Sequence, residues 1–256
     1  MSMLKYFFDI ENKDENKNLF EVIVVATMSA GKSTVINALI GKELLHSANE
    51  ATTATITRIH DKDNLPFFSG CAYGYKSELL KESNRIDAQI LKEWNADPSI
   101  KTIDLIGDIA AIRNDNAELV IYDTPGPNNS QDDSHKALTK EILEDGNYGL
   151  VLFVLNSTNL GTNDEYNFLQ IIKNSLIKSP NKKVVFLLNK KEKLENLEDT
   201  IIRVKENLIN IKFQFDKIQL MLLKSRQLAG IFMCRFIYYI FLNSPATLPS
   251  MTASFT

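Results

Sequence analysis

The chain has 256 residues, of which 44% are hydrophobic and 24% charged, enough for one large domain with a sizeable core and unlike a disordered or collagen-like chain. Lys+Arg 29 against Asp+Glu 32 gives a formal charge of −3, so no global basic field can hold a phosphate backbone and nucleic acid is not an expected partner. Two cysteines, Cys71 and Cys234, and three scattered histidines, His46, His60 and His135, supply neither a disulfide framework nor a zinc-ligand spacing.

Residues 1–18 form a lead segment, with a short apolar patch at 4–10 followed by an acidic, Asn-rich run. It lacks the basic start and long apolar core of a signal peptide, which sets the expectation of a cytoplasmic protein. Residues 20–26 (FEVIVVA) then read as a strand, and further continuous apolar runs follow at 119–122, 150–155 and 184–188. Runs of this kind suit strands buried on both faces, as in parallel sheets. Helices are expected between them. Ile86, Ile90, Leu91 and Trp94 mark one face, stopped before Pro98. Thr162 and Glu165 form a capping box ahead of Phe168, Ile171, Ile172 and Leu176, and Leu197, Ile201, Val204 and Leu208 mark another helix. Alternating strands and helices predict an α/β domain with right-handed crossovers.

From Gln227 onward Arg235 is the only charged residue, where about seven would be average. The apolar stretch 230–242 is 13 residues long, whereas a membrane span needs about 20. It reads as a core or partner-facing helix followed by a tail.

Residues 26–34 (ATMSAGKST) directly follow the first strand and lead into a helix expected at 35–40. This is the phosphate-loop pattern G-x-x-x-x-G-K-[ST], with Ala26 in place of the first glycine. In such a loop successive backbone N–H groups and the helix N-terminus face a polyphosphate. Lys32 reaches the β/γ oxygens and the Ser33 hydroxyl binds Mg²⁺. Asp123, ending the strand that precedes Thr124-Pro125-Gly126, is placed to hold Mg²⁺ through a water, and the glycine lets a backbone N–H approach a γ-phosphate. Asn189-Lys190-Lys191-Glu192 ends another strand and resembles an Asn-Lys-x-Asp guanine reader with Glu in place of Asp. The Thr-rich segment 49–57 is either a switch that closes over Mg²⁺ or simply the entry to a strand.

Together these residues resemble the N-terminal GTPase domain of the dynamin superfamily, in its bacterial dynamin-like branch. The resemblance covers about residues 20–227 and rests on 28–41 (MSAGKSTVINALIG), 51–54 (ATTA) and 123–130 (DTPGPNNS). It implies a phosphate-loop NTPase fold of three layers, a mostly parallel central sheet flanked by helices. It further implies binding of GTP and GDP, GTP hydrolysis with Mg²⁺ and homodimerisation of GTPase domains across the nucleotide; the family's link to membranes is not supported by this chain's own sequence. The implied catalytic residues are Ser29, Lys32 and Thr53, with Thr52 the neighbouring alternative to Thr53. Nucleotide contacts would come from Ala30, Gly31, Lys32, Ser33, Thr34, Gly126, Asn189, Lys190, Glu192 and Ser225, the last in the loop 224–227. Metal contacts would come from Ser33, Thr53 and Asp123.

The departures from the family pattern are Met28, where eukaryotic dynamins place a water-positioning glutamine, Ala26 and Thr27 at the start of the loop, and Glu192. The family's helical stalk does not follow. The expected organisation is a lead at 1–18, a GTPase domain at 19–228, and an apolar helix and tail at 229–256. The alternatives are a nucleotide-binding switch with little hydrolysis, an ATPase, or a truncated, inactive chain.

Overall fold

The computed structural model describes residues 18–27, 29–46, 55–109, 117–125, 139, 141–143, 148–158, 160–178, 182–189, 197–210 and 218–222. Among the described residues the nine strands are β1 (Asn18–Ala26), β2 (Ile56–Asp61), β3 (Ser69–Tyr73), β4 (Leu79–Ser83), β5 (Thr102–Gly107), β6 (Ala117–Asp123), β7 (Leu150–Asn156), β8 (Lys183–Asn189) and β9 (Ile218–Leu222). The helices among the described residues include α1 (Lys32–Ile40), α2 (Ala88–Asn95), α3 (Asn163–Lys178) and α4 (Leu197–Asn210). The strands form one sheet in the order β4-β3-β5-β2-β6-β1-β7-β8-β9.

The strands expected from apolar runs form the parallel centre. β1 lies between β6 and β7 and runs parallel to both, and β8 and β9 continue the parallel array. Every residue of β7 is buried, as a continuous run of Leu, Val and Phe requires in a strand covered on both faces. The other half of the sheet is mixed. β2 runs antiparallel to β6 and parallel to β5, and β3 pairs antiparallel with both β5 and β4.

Helices cover both faces. Side chains of α1 and α2, including Val35, Ile36, Leu39, Leu91 and Trp94, pack with Val22, Val24, Ile121, Leu152 and Leu187 of the sheet. On the opposite face Phe168, Ile172 and Leu176 of α3 and Val204 of α4 pack with Ile23, Val25, Phe153 and Phe186. The alternation of β1 residues between the two cores follows from the two-residue period of a strand. The result is the α/β phosphate-loop NTPase fold expected from the sequence, with helix layers on either side of the sheet.

Two boundaries and one cap differ from expectation. Helix α1 begins at Lys32, three residues before the expected start, because Gly31 serves as its N-cap. Ile86 is buried but precedes α2, whose N-cap is Asp87; the Asp87 carboxylate accepts a 2.9 Å bond from the Ile90 N–H. The capping box of α3 is half as expected. Thr162 Oγ1 accepts from the Glu165 N–H at 3.2 Å, while the Glu165 carboxylate accepts from Gly161, one residue before the cap, at 3.1 Å. The apolar stretch 230–242, residues 1–17 of the lead segment and the domain limit at 228/229 lie outside the described residues, while the expected limit at 18/19 falls within β1.

Candidate functional site

The site grows from the C-terminal ends of four parallel neighbours, β6, β1, β7 and β8. Strand order reverses around β1: the chain crosses to one side for β2 to β6 and to the other for β7 to β9. In open α/β sheets ligands bind outside the carboxyl ends of strands at such a switch point. Here those ends deliver Asp123, the loop after Ala26, Asn156 and Asn189, held by the pairings Val24↔Asp123, Ala26↔Val154 and Asn156↔Asn189.

The described residues of the segment between β1 and α1 include two in the left-handed region. Ser29 is left-handed at φ 56° and Gly31 at φ 90°, and the Ala30 N–H bonds back to the Thr27 carbonyl at 3.2 Å. A non-glycine residue in the left-handed region costs about 1–2 kcal/mol, so the strain at Ser29 is held by its surroundings. Gly31 is glycine for a second reason: a Cβ there would run into the side-chain amide of Asn189. No side chain caps the first turn of α1 and no acidic residue lies in it. Its N-terminal N–H groups and positive dipole end suit an anion.

Asn189 links the loops. Its Nδ2 donates to the Ala30 carbonyl at 2.9 Å, so the residue expected to read a base also braces the phosphate loop. The backbone of β8 is tied to β7 at the same edge, where the Ser157 N–H donates to the Asn189 carbonyl at 3.1 Å. Asn156 accepts from the Thr158 N–H at 3.2 Å and hydroxyl at 2.8 Å, closing a small turn beyond β7. Asn156 and Ser157 carry no motif, and only their place after an apolar run marks them in the sequence. The Ser157 hydroxyl is buried with no hydrogen-bond partner among the described residues.

Lys32 opens α1 and its ammonium forms an ion pair with Asp123 Oδ1; both side chains are 16% exposed. Burial pushes the Lys32 pKa down to about 7, while the carboxylate against it favours the charged form. Thr124, the next residue, is buried and donates from its hydroxyl to the Val24 carbonyl at 2.9 Å. This fixes Asp123 beside the phosphate loop. Strand β2 begins at the same edge, with Thr57 opposite Asp123, so the Thr-rich segment leads into the site's rim. Thr53 and its neighbour Thr52 lie outside the described residues, as do Met28, Gly126, Lys190, Glu192 and Ser225. The structure therefore brings together Ser29, Ala30, Gly31, Lys32, Asp123 and Asn189, with Ser33 and Thr34 in the first turn of α1.

Among the described residues no group of three or more His, Cys, Asp and Glu side chains could hold a metal ion. The Ser33 hydroxyl in the first turn of α1 and the Asp123 carboxylate beside Lys32 are oxygen donors of the site. A hard cation fits this donor set if phosphate oxygens and waters complete it, the manner in which Mg²⁺ is usually held.

The sheet order, the left-handed loop before α1 and the lysine at the helix start define a phosphate-loop α/β protein. The dynamin family model matches residues 22–191, about two-thirds of the chain, and the chain belongs to that family. It is 30% identical over 192 residues to a protein of Arabidopsis thaliana described as a probable transmembrane GTPase, FZO-like, chloroplastic; the match covers 73% of this chain and 17% of that protein. Among solved structures, two chains of an oligomerised bacterial dynamin pair superpose with TM-scores of 0.63 and 0.61 at 17% and 19% identity. Each match covers 93% of this chain and 39% of the other. Era in complex with MgGDPNP and a 16S ribosomal RNA fragment superposes with a TM-score of 0.50 at 16% identity, over 93% of this chain and 61% of Era. The chain thus spans well under half the length of its dynamin relatives and carries their GTPase domain. Among the described residues no helix is long and apolar enough to cross a membrane.

Proposed function

We propose that the chain binds GTP and GDP and hydrolyses GTP to GDP and phosphate with Mg²⁺, through a GTPase domain spanning residues 19–228. The observation that carries this reading is the convergence of Lys32, Asp123 and Asn189 on the left-handed loop that opens α1. Ser29, Ala30, Gly31, Ser33 and Thr34 would wrap the phosphates with backbone N–H groups, and Lys32 would neutralise charge on the β/γ oxygens as it develops. Ser33 and Asp123 would hold Mg²⁺ with Thr53 joining from the β2 side, and the metal supplies charge neutralisation on the phosphates. Thr53 and Gly126 would order the attacking water and the γ-phosphate. Asn189, Lys190, Glu192 and Ser225 would enclose the base. Dimerisation through the GTPase domain is supported by the family and belongs to the same proposal.

A second reading, a nucleotide-dependent switch with slow hydrolysis, is favoured by Met28. A thioether is only a weak acceptor and has no donor with which to orient a water.

Base choice tests the proposal. Guanine offers two donors, its ring N–H and exocyclic amine, and a carboxylate at position 192 accepts both. Adenine has no ring N–H donor there, and each mismatched buried polar group costs about 1–3 kcal/mol. GTP should displace a fluorescent guanine nucleotide at concentrations where ATP does not. Glu192→Asp should tighten GTP binding by shortening the reach, and Glu192→Ala should lose most of the preference. Equal competition by GTP and ATP in the parent protein would remove guanine recognition.

A further inference from the structure

We infer that the Lys32–Asp123 ion pair couples cation binding to nucleotide binding, with Asp123 withholding the loop lysine from phosphate until Mg²⁺ occupies the carboxylate. The inference rests on the nucleotide reading above and extends it to regulation of the same site. Lys32 Nζ and Asp123 Oδ1 are in direct contact. Both partners sit on rigid elements, the first residue of α1 and the last residue of β6. Thr124 pins the chain beyond β6 to β1 through the Val24 carbonyl at 2.9 Å. The carboxylate is therefore held beside the lysine by the sheet register rather than by a flexible loop.

One ammonium cannot keep this partner and also move fully onto the β/γ oxygens. A divalent cation at the carboxylate competes with the ammonium for the same negative charge and weakens its hold on Lys32. A polyphosphate arriving alone must break the pair and leave Asp123 facing added negative charge. A polyphosphate arriving with Mg²⁺ exchanges one ion pair for two: lysine with phosphate, and carboxylate with the cation or its water. Charge-assisted bonds of this kind are strong in a partly desolvated site, so the exchange favours the joint complex over either ligand alone. Asp123 thus acts in two opposite ways, as a metal holder when Mg²⁺ is present and as a competitor for Lys32 when it is not.

The sign of one substitution separates this from a simple metal-ligand role. With fluorescent GDP in EDTA, Asp123→Asn should bind about tenfold tighter than the parent, since a released charged hydrogen bond is worth about that factor. In excess Mg²⁺ the same variant should lose the metal's enhancement. Removing a carboxylate near phosphate also relieves direct repulsion, and a double-mutant cycle isolates the pair. If Asp123 acts by holding Lys32, the gain in EDTA should vanish in a Lys32→Ala background. The same four proteins without nucleotide give a second cycle, read as denaturation midpoint. There Lys32→Ala should shift the midpoint less when Asp123 is already Asn, which decides the matter if Lys32→Ala binds too weakly to titrate. An Asp123→Asn variant that binds no tighter in EDTA, or that keeps its full gain without Lys32, or a stability cycle that is additive, would overturn the coupling. A parent protein that binds fluorescent GDP neither in EDTA nor in Mg²⁺ would overturn the nucleotide reading itself.

Discussion

Gly31 is held to glycine by two separate constraints, a left-handed φ of 90° and the approach of the Asn189 amide. They respond differently to substitution. Gly31→Ala should destabilise the fold by about 1–2 kcal/mol from backbone strain alone, with a further loss from displacing Asn189, read as a shift in the urea midpoint. Combining it with Asn189→Ala should remove the second part and leave the first, so the double variant should be more stable than the sum of the singles predicts. Strict additivity would mean that the two loops are not braced against each other. Lys32, Asp123 and Asn189 were legible as site residues because each belongs to a short pattern at the end of an apolar run. The bond from Asn189 to Ala30 was not legible, since 159 residues separate the partners and local spacing carries no information about which loops meet across a sheet. Nor does a motif reveal that Lys32 and Asp123 pair with one another.

Among the elements, β1, β6, β7 and β8 are evident from sequence because a strand buried on both faces must be apolar throughout. β3, β4 and β5 lack that signature. β5 carries Asp104 in the middle of its run, and the charge is accommodated only because Arg58 of β2 reaches it with two 2.5 Å bonds, from Nε and Nη2. β3 contains Gly70, where a Cβ would collide with the Leu105 side chain and the Asp104 carbonyl, so a small residue replaces the branched ones that mark strands. β4 is the outer strand and none of its five residues is buried, with Leu79 and Leu80 both exposed; its charges Lys81 and Glu82 suit a sheet edge. The Arg58–Asp104 pair can be tested directly. Asp104 is 4% exposed and Arg58 30%, so Asp104→Ala leaves a guanidinium that still reaches some solvent. We expect a cost of about 1–3 kcal/mol by thermal denaturation, less than for a fully buried orphan charge. No change in midpoint would mean that the mixed half of the sheet does not depend on this pair.

At the scale of the whole molecule, the parallel half of the sheet supplies the strand ends that carry the site, while the mixed half returns the chain to its rim at β2. The mixed half also contains Cys71, fully buried on β3. Burial, assisted by the charges of Glu82 and Asp104, raises its pKa to about 11. An unfolded thiol titrates near about 8.5, so the native state keeps its proton where the unfolded state loses it. The resulting stability is complete below about pH 8.5 and is lost as pH rises toward 11, a fall of up to about 3 kcal/mol. Cys71→Ala should flatten that alkaline slope in denaturation midpoints measured from pH 8 to 11; an unchanged slope would assign it to other groups. The proposed function requires that the site do chemistry on GTP. Single-turnover hydrolysis of γ-labelled GTP, with enzyme in excess and Mg²⁺ present, measures this without requiring fast product release. The parent protein should release labelled phosphate, and Lys32→Ala should release none above the uncatalysed rate. Phosphate release at the same rate from both proteins would place the chemistry elsewhere, and release from neither would leave a nucleotide-binding switch in place of a GTPase.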